Sequence, residues 1–273
     1  MDSSGSESDS NSSSGDGGGG DVSVRVEALE QHIASSPFDP APHTALIEAL
    51  QNAGPSQCEQ LAAARERMSA NMALTPALWL QWIDDEGSVA ASPQDVERAE
   101  ALFARAAADA PSPAVFSAWT AFLERNIDES EYDAVAVARV RAVHDSALVS
   151  MGLHVAEGGR LWDAAVDFER RLSSNTEPSA AASVSEANAK LANLVKRRFS
   201  IPLDGMQAAA LALNTPLPPD VQPAYTIALN LLAARARYET QAVTGTPETW
   251  AAYAAWEASQ GDPSRAHVVH ERR

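Results

Sequence analysis

The sequence predicts an all-α solenoid, a row of helical hairpins stacked one on the next, and three observations predict it. Aromatic side chains recur at helical spacing: Trp79 and Trp82; Phe116, Trp119 and Phe122; Trp162 and Phe168; Trp250, Tyr253 and Trp256. On a helix turning 100° per residue, the members of each set share one side. The sets themselves repeat, 37 residues from Trp79 to Phe116, 46 from Phe116 to Trp162 and 88 from Trp162 to Trp250. The last step is two periods with a faint copy between them, and a unit of roughly 34 to 47 residues marks helical-hairpin arrays. Alanine is abundant while β-branched residues are sparse, which favours helix. About six hairpins fit between residues 22 and 273.

Composition narrows the function classes. The chain has 273 residues and 28.9 kDa, with 20 Lys+Arg against 37 Asp+Glu, a net charge of −17. Nucleic-acid binders usually carry the opposite balance, so the array is a poor candidate for gripping phosphates. The charge is uneven: residues 22–189 carry 11 basic and 25 acidic side chains, residues 190–273 nine and seven. An acidic face speeds encounter with a basic partner, although it also serves solubility. The single cysteine, Cys58, excludes an internal disulfide framework and fits a reducing compartment. No apolar run reaches the ~18 residues of a membrane span, and the N-terminus lacks the basic and apolar regions of a secretory signal. These features place the chain in the cytosol or nucleus.

Taken in order, residues 1–21 hold eight serines, six glycines and five acids with no basic or aromatic residue. Such a segment buries too little apolar surface to offset its ordering entropy, and a disordered acidic tail is expected. Gly17 to Gly20 have neither a preceding strand nor a following Gly-Lys-Ser/Thr, so no phosphate loop is read there. The serines in this acidic context are either phosphorylation sites or solvated spacer. From Val22, apolar residues recur at Val26, Leu29 and Ile33; Pro37, Pro40 and Pro42 are expected to break that helix. His43–Ala53 forms a short helix ended by Gly54-Pro55, and its partner spans Gln57–Met72 with Leu61, Ala64, Met68 and Met72 inward. Thr75-Pro76, Ser92-Pro93 and Ser112-Pro113 each read as an N-cap followed by proline at the first helical position. The helix after Ser92 runs to Asp109 with Val96, Ala99, Leu102, Phe103 and Ala106 inward, and the next reaches Arg125.

Further on, Tyr132–Ser150 is a helix closed by Gly152. A helix starting at Gly158 follows, then a polar insertion at Ser173–Ser183 and an answering helix over Ser185–Phe199. Ile201-Pro202-Leu203 is a corner. Unit five is faint, with a short helix Asp204–Leu213, three prolines, and a second helix Val221–Tyr238. Unit six runs from Thr246-Pro247 to Gly261, and Asp262-Pro263 opens a helix that reaches Arg273 in mid-pattern. Solenoids end on polar capping repeats, so that ending is expected of a piece of a longer chain.

The aromatics read first as hairpin packing, with an exposed peptide or base platform as the alternative. Glu86, Glu169 and Glu257 close three of the sets on the inward stripe. Each is either an acid–base group or a carboxylate satisfied by an arginine or backbone donors. Buried charge must be paired, and recurrence in three units favours architecture over one convergent active site. His267 and His270 lack the partners of a metal site. His144 and His270 occupy corresponding places in their units, which speaks for packing, and Cys58 reads as a small core residue. Lys196-Arg197-Arg198 is the only basic triplet. It is a candidate RNA or localisation contact, though three cations at a helix end also complement its dipole. No nucleophile elbow or dinucleotide fingerprint occurs. No enzyme, cofactor or metal is expected.

The unit Trp-x-x-aromatic-x-x-x-Glu, followed by Ala-x-x-Leu-Phe-x-Arg-Ala over Ala99–Ala106, resembles the half-a-tetratricopeptide (HAT) repeat of RNA-processing proteins. Leu78-Trp79-Leu80-Gln81-Trp82-Ile83-Asp84-Asp85-Glu86, Met151-Gly152-Leu153-His154, Ile201-Pro202-Leu203 and Gly261-Asp262-Pro263 look like one family within that class. It is the family of the squamous cell carcinoma antigen recognised by T cells, the spliceosomal recycling factor, and the likeness to its N-terminal part covers about residues 37–273. The sequence departs from the pattern in places. Leu123 stands where unit three should have its glutamate, Ala165 replaces the middle aromatic of unit four, and unit five lacks its aromatics.

The resemblance implies a right-handed α-α superhelix of HAT/TPR-like hairpins and a non-enzymatic docking scaffold in pre-mRNA splicing. It further implies a nuclear location, with shuttling to the cytoplasm, and work in assembly and recycling of small nuclear ribonucleoproteins. In that family RNA is held mainly by C-terminal RNA-recognition motifs, while the repeats dock proteins and support homodimerisation. Alternatives are a HAT scaffold of mRNA 3′-end cleavage, a crooked-neck-like splicing factor, or a solenoid that binds RNA directly.

Overall fold

The computed structural model describes residues 18–54, 57–88, 92–127, 133–174, 181–243 and 245–272. Among them are thirteen helices and no strand. The chain divides into two compact units, Met1–Thr75 and Pro76–Arg273.

The first unit contains α1 (Gly18–Ser35), α2 (Pro40–Asn52) and α3 (Cys58–Asn71). Helix α1 begins four residues before the position set by the periodicity, so Gly18 to Asp21 are helical; the rest of the expected disordered tail lies outside the described residues. Helix α1 ends at Ser35, ahead of Pro37, as the proline run led one to expect, and Pro40 and Pro42 then lie in the first turn of α2, which starts three residues before the expected His43. Asp39 accepts a hydrogen bond from the Ala41 amide as N-cap, and a proline in the first turn removes only a donor that would have gone unpaired. Beyond Ala53, Gly54 adopts φ +88°, the left-handed conformation in which glycine terminates helices. Leu46, Leu50, Ala64 and Met68 fill this unit's core, joined by the buried Arg65.

The second unit is a succession of paired helices. These are α4 (Pro76–Ser88) with α5 (Pro93–Asp109), α6 (Pro113–Arg125) with α7 (Ala134–Met151), and α8 (Gly158–Ser173) with α9 (Ala181–Arg198). There follow a short α10 (Met206–Ala212) with α11 (Gln222–Ala242), and α12 (Pro247–Ser259) with α13 (Pro263–Glu271). Each of the first three pairs packs internally, and α4 also touches α6 as α6 touches α8, the nearest-neighbour pattern of a repeat array. Ser92 and Asp95 form a reciprocal capping box on α5, Ser112 caps α6 and Asp262 caps α13. Thr246 precedes α12 without a side-chain capping bond.

Several boundaries differ from the sequence reading. Asp133 caps α7, so the helix begins at Ala134, and Tyr132 lies outside the described residues, as do 175–180 of the polar insertion. Gly152 does not end α7 in a left-handed turn: its φ is −64°. A Cβ on Gly152 would run into the Leu148 carbonyl, and one on Gly158 would meet the Gly152 carbonyl oxygen at 2.9 Å, so close backbone approach favours glycine at both positions. Helix α11 continues past Tyr238 to Ala242, because Tyr238 stacks on Tyr253 and Ala242 packs against the same cluster.

Candidate functional site

The aromatic ridges occupy the first helix of each sharp pair. Trp79 and Trp82 on α4 are each 2% exposed, and their rings stack with centroids 5.4 Å apart. The Arg105 guanidinium from α5 lies over both, 5.3 and 5.2 Å from the centroids, a cation–π arrangement. The Trp79 indole Nε1 donates to Asp109 Oδ2 at 2.8 Å. On α6, Phe116 and Phe122 are buried while Trp119 is half-buried and stacks on Phe103 of α5. On α8, Trp162 is 1% exposed and its Nε1 donates to the Gly152 carbonyl at 2.9 Å, while the buried Phe168 contacts the His144 ring. On α12, Tyr253 is buried and stacks on Tyr238; Trp250 and Trp256 flank it, half-buried. No set forms an open platform of parallel rings.

Two of the recurring glutamates are locked by arginines from the preceding helix. Arg141 of α7 donates from Nε and Nη2 to both oxygens of Glu169 on α8, at 2.7 and 2.8 Å, and from Nη1 to Glu186 of α9. The Glu169 hydrogen bond, opposed by burial and aided by the two nearby carboxylates, raises the Arg141 pKa. Arg235 of α11 grips Glu257 of α12 in the same two-pronged way at 2.5 and 3.1 Å and also donates to the Pro202 carbonyl. Each lock crosses from one pair to the next, where bidentate geometry adds direction as well as energy. Glu86 differs: it is half-buried and directly follows Asp84 and Asp85 near the end of α4. In unit three Glu124 does part of the missing glutamate's work, taking Arg171 on one oxygen and lying 3.5 Å from His144 Nε2 through the other. Burial pushes the Glu124 carboxyl up, but His144 and Arg171 outweigh it and hold it below the usual range.

The arginine partners Arg141 and Arg235 escaped the sequence reading. They lie 28 and 22 residues before their glutamates, so no fixed spacing announces them. Two expectations are corrected. Cys58 is exposed rather than buried, at the first residue of α3. His144 is buried but His270 is exposed, since Val269 takes the inward place on α13.

The basic triplet is not one contact surface. Lys196 points out and pairs with Asp220 at 3.3 Å, and Arg197 lies over the Trp162 ring at 4.9 Å. Arg198 is 1% exposed, donates from Nε to Asp163 at 2.9 Å and fills the space left by Gly159, where a Cβ would meet its guanidinium at 3.0 Å. Nearby, the Met151–His154 and Ile201–Leu203 segments meet: the Asp204 amide donates to the Val155 carbonyl, and Leu203 is fully buried. A polar cluster of Glu239, Tyr253 and Arg272 lies in the same part of the unit. Arg272 donates to both Glu239 oxygens at 2.7 and 2.8 Å, and the Tyr253 hydroxyl donates to Glu239 Oε1. Burial, reinforced by Glu239, drives the Tyr253 pKa far up, so the phenol stays a donor.

A groove of about 510 Å³ between α7, α8 and α9 is lined by Arg141, His144, Glu169, Lys190, Asn193 and Arg197 among others, over an apolar floor of Leu148, Ala165 and Leu194. Its charged groups are largely engaged with one another, which suits a docking surface better than a reaction centre. Among the described residues no cluster of His, Cys, Asp or Glu could hold a metal, and no helix is long and apolar enough to cross a membrane.

No protein-family model matches the chain. It is similar to curated proteins described as "Spliceosome associated factor 3, U4/U6 recycling protein", among them those of human, mouse and zebrafish. The human protein is 30% identical over 256 residues, covering 91% of this chain and 25% of the relative. The mouse protein is 29% identical with the same coverage. The zebrafish protein (Danio rerio) is 26% identical over 262 residues, covering 90% of this chain and 27% of the relative. The chain thus spans about a quarter of the length of these relatives.

Proposed function

We propose, on the premise that this chain is a helical-repeat relative of the spliceosome associated factor 3 family, that it is a protein-docking scaffold in the recycling of spliceosomal small nuclear ribonucleoproteins. The observation that carries this reading is the likeness, near 30% identity over nine-tenths of the chain, to relatives described as U4/U6 recycling proteins. The all-helical repeat supports the scaffold role, since stacked hairpins offer extended surface rather than one enclosed cavity. The inward glutamates at Glu169 and Glu257 are consumed by architecture, which supports a non-enzymatic part. The bound partners are proteins of the particle, and the place of work is the nucleoplasm. RNA contact through RNA-recognition motifs, self-association through repeats and shuttling to the cytoplasm are what the family resemblance assigns to its longer members; the array described here supplies docking. The net charge of −17 opposes a direct hold on RNA.

The test is co-precipitation of the tagged chain from nuclear extract of its own cells, with and without ribonuclease. Proteins of the U4/U6 particle should stay bound after the RNA is digested. Their loss on digestion would replace protein docking by RNA tethering, and their absence throughout would sink the splicing assignment.

A further inference from the structure

One residue fastens the turn between α7 and α8. His154 Nδ1 accepts from the Glu157 amide at 3.2 Å, and its carbonyl accepts from the Gly158 amide at 2.7 Å. Its own amide donates to the Met151 carbonyl. Glu157 is the residue from which α8 starts, and it makes no side-chain capping bond, so the imidazole is what holds that residue in place. The turn in its turn anchors what surrounds it. The Gly152 carbonyl accepts from the Trp162 indole, and the Val155 carbonyl accepts from the Asp204 amide in the corner after α9.

The Glu157 hydrogen bond fixes the state of the ring. In a neutral imidazole one nitrogen carries the proton and the other accepts, so an accepting Nδ1 leaves the proton on Nε2. Acid adds the second proton at Nδ1. That nitrogen then faces the Glu157 N–H as donor against donor, and the bond is lost. The charged groups around the ring come from three elements: Glu157 in its own turn, Glu239 of α11 and Arg272 of α13. Glu239 is already held through both oxygens by Arg272. Burial, and then the Arg272 charge, hold the His154 pKa below its usual value against the pull of Glu157 and Glu239. Asp204 belongs to the same cluster, its carboxyl raised by burial and then by Glu239.

The geometry points to His154 as an acid-operated latch: protonation at Nδ1 releases the Glu157 amide, loosens the α7–α8 turn and, by repelling Arg272, loosens α13 with it. The sign follows from the ring binding its second proton less readily folded than unfolded. The latch is closed above the unfolded histidine value of about 6.5 and opens as pH falls below it. This goes beyond the docking reading and does not depend on it, since it concerns how successive pairs hold one another.

Hydrogen exchange of the full 273-residue chain, read by mass spectrometry at about pH 7.5 and 5.5 and corrected for the intrinsic pH dependence of exchange, tests it. Protection in peptides covering 151–160 and 263–272 should fall about fivefold more than in α4 to α6. H154N puts a side-chain oxygen where Nδ1 was and cannot be protonated, so it should keep the neutral-pH protection and lose the extra response to acid. H154L has no acceptor and should show at neutral pH the loosened turn of the acid form. An equal acid response in H154N overturns the latch, as does a loss of protection spread evenly along the unit. A turn that loosens while α13 stays protected overturns the coupling. Nitrogen chemical shifts of the His154 ring in wild-type chain give a second reading that needs no stable variant. They should show a bare Nδ1 and a protonated Nε2 at neutral pH, and the opposite tautomer overturns the proposal.

Discussion

Trp82 shows at the scale of one residue what an aromatic does in this molecule. It is 2% exposed, stacked on Trp79 and covered by Arg105. Truncation to alanine removes the ring, the stack and the cation–π contact together, so Trp82→Ala is expected to cost about 3–5 kcal/mol in urea unfolding, as core Trp truncations do. A cost below about 1 kcal/mol would mean that the indole packs against little. Arg235 and Glu257 make a sharper case, with side chains 2% and 1% exposed. Removing either one strands a buried charge, and Arg235→Met or Glu257→Leu alone should each cost about 3–5 kcal/mol. The double substitution should cost less than either single one, because no uncompensated charge remains. Additive losses would show that the two groups act independently.

At the scale of the helix, beginnings were more legible than ends. Ser-Pro and Asp-Pro pairs announced α5, α6 and α13 because the cap and the pre-set φ act within a few residues. Ser92 both accepts from Asp95 and is held by it, so Ser92→Ala should lower stability by about 0.5–2 kcal/mol, measured by thermal unfolding, whereas Thr246→Ala should cost less since Thr246 makes no capping bond. Equal losses would mean that the reciprocal bond adds nothing. Tertiary contact decided what local pattern could not. The proline run does separate α1 from α2, but that α2 already starts at Pro40 shows only once Asp39 is seen to cap the turn that contains Pro40 and Pro42. Burial on α3 covers Met68, Arg65 and Ala64 but not Cys58, which is exposed at the start of the helix. The arginines that meet Glu169 and Glu257 come from other helices, tens of residues away in sequence. The aromatic faces, by contrast, were readable at once, because a single helix carries the whole signal.

The whole second unit also responds to acid through groups spread along it. In the Glu239 carboxyl, burial pushes upward, but Arg272 and Tyr253 hydrogen bonds outweigh it and hold the pKa down; Glu124 is held down similarly. A group of this kind binds fewer protons folded than unfolded, so its stabilisation is present above the unfolded carboxylate value of about 4.3 and is lost as pH falls below it. His154, depressed by burial and then by Arg272, acts in the same sense from about pH 6.5 downward, while Asp204, raised by burial and then by Glu239, opposes it. Thermal unfolding followed from pH 8 to 3 should therefore show a gentle decline below about 6.5 and a steeper one below about 4.3. E239Q should begin less stable at pH 7 and fall less steeply in acid; parallel curves for the two proteins would contradict this assignment.

The role proposed for this helical array, docking proteins during recycling of the U4/U6 particle, is tested most directly by the re-pairing of U4 with U6. After depletion of the protein from splicing extract of its own cells, the U4/U6 duplex should reform more slowly on native gels, and adding the protein back should restore the rate. Unchanged re-pairing in the depleted extract would contradict the account.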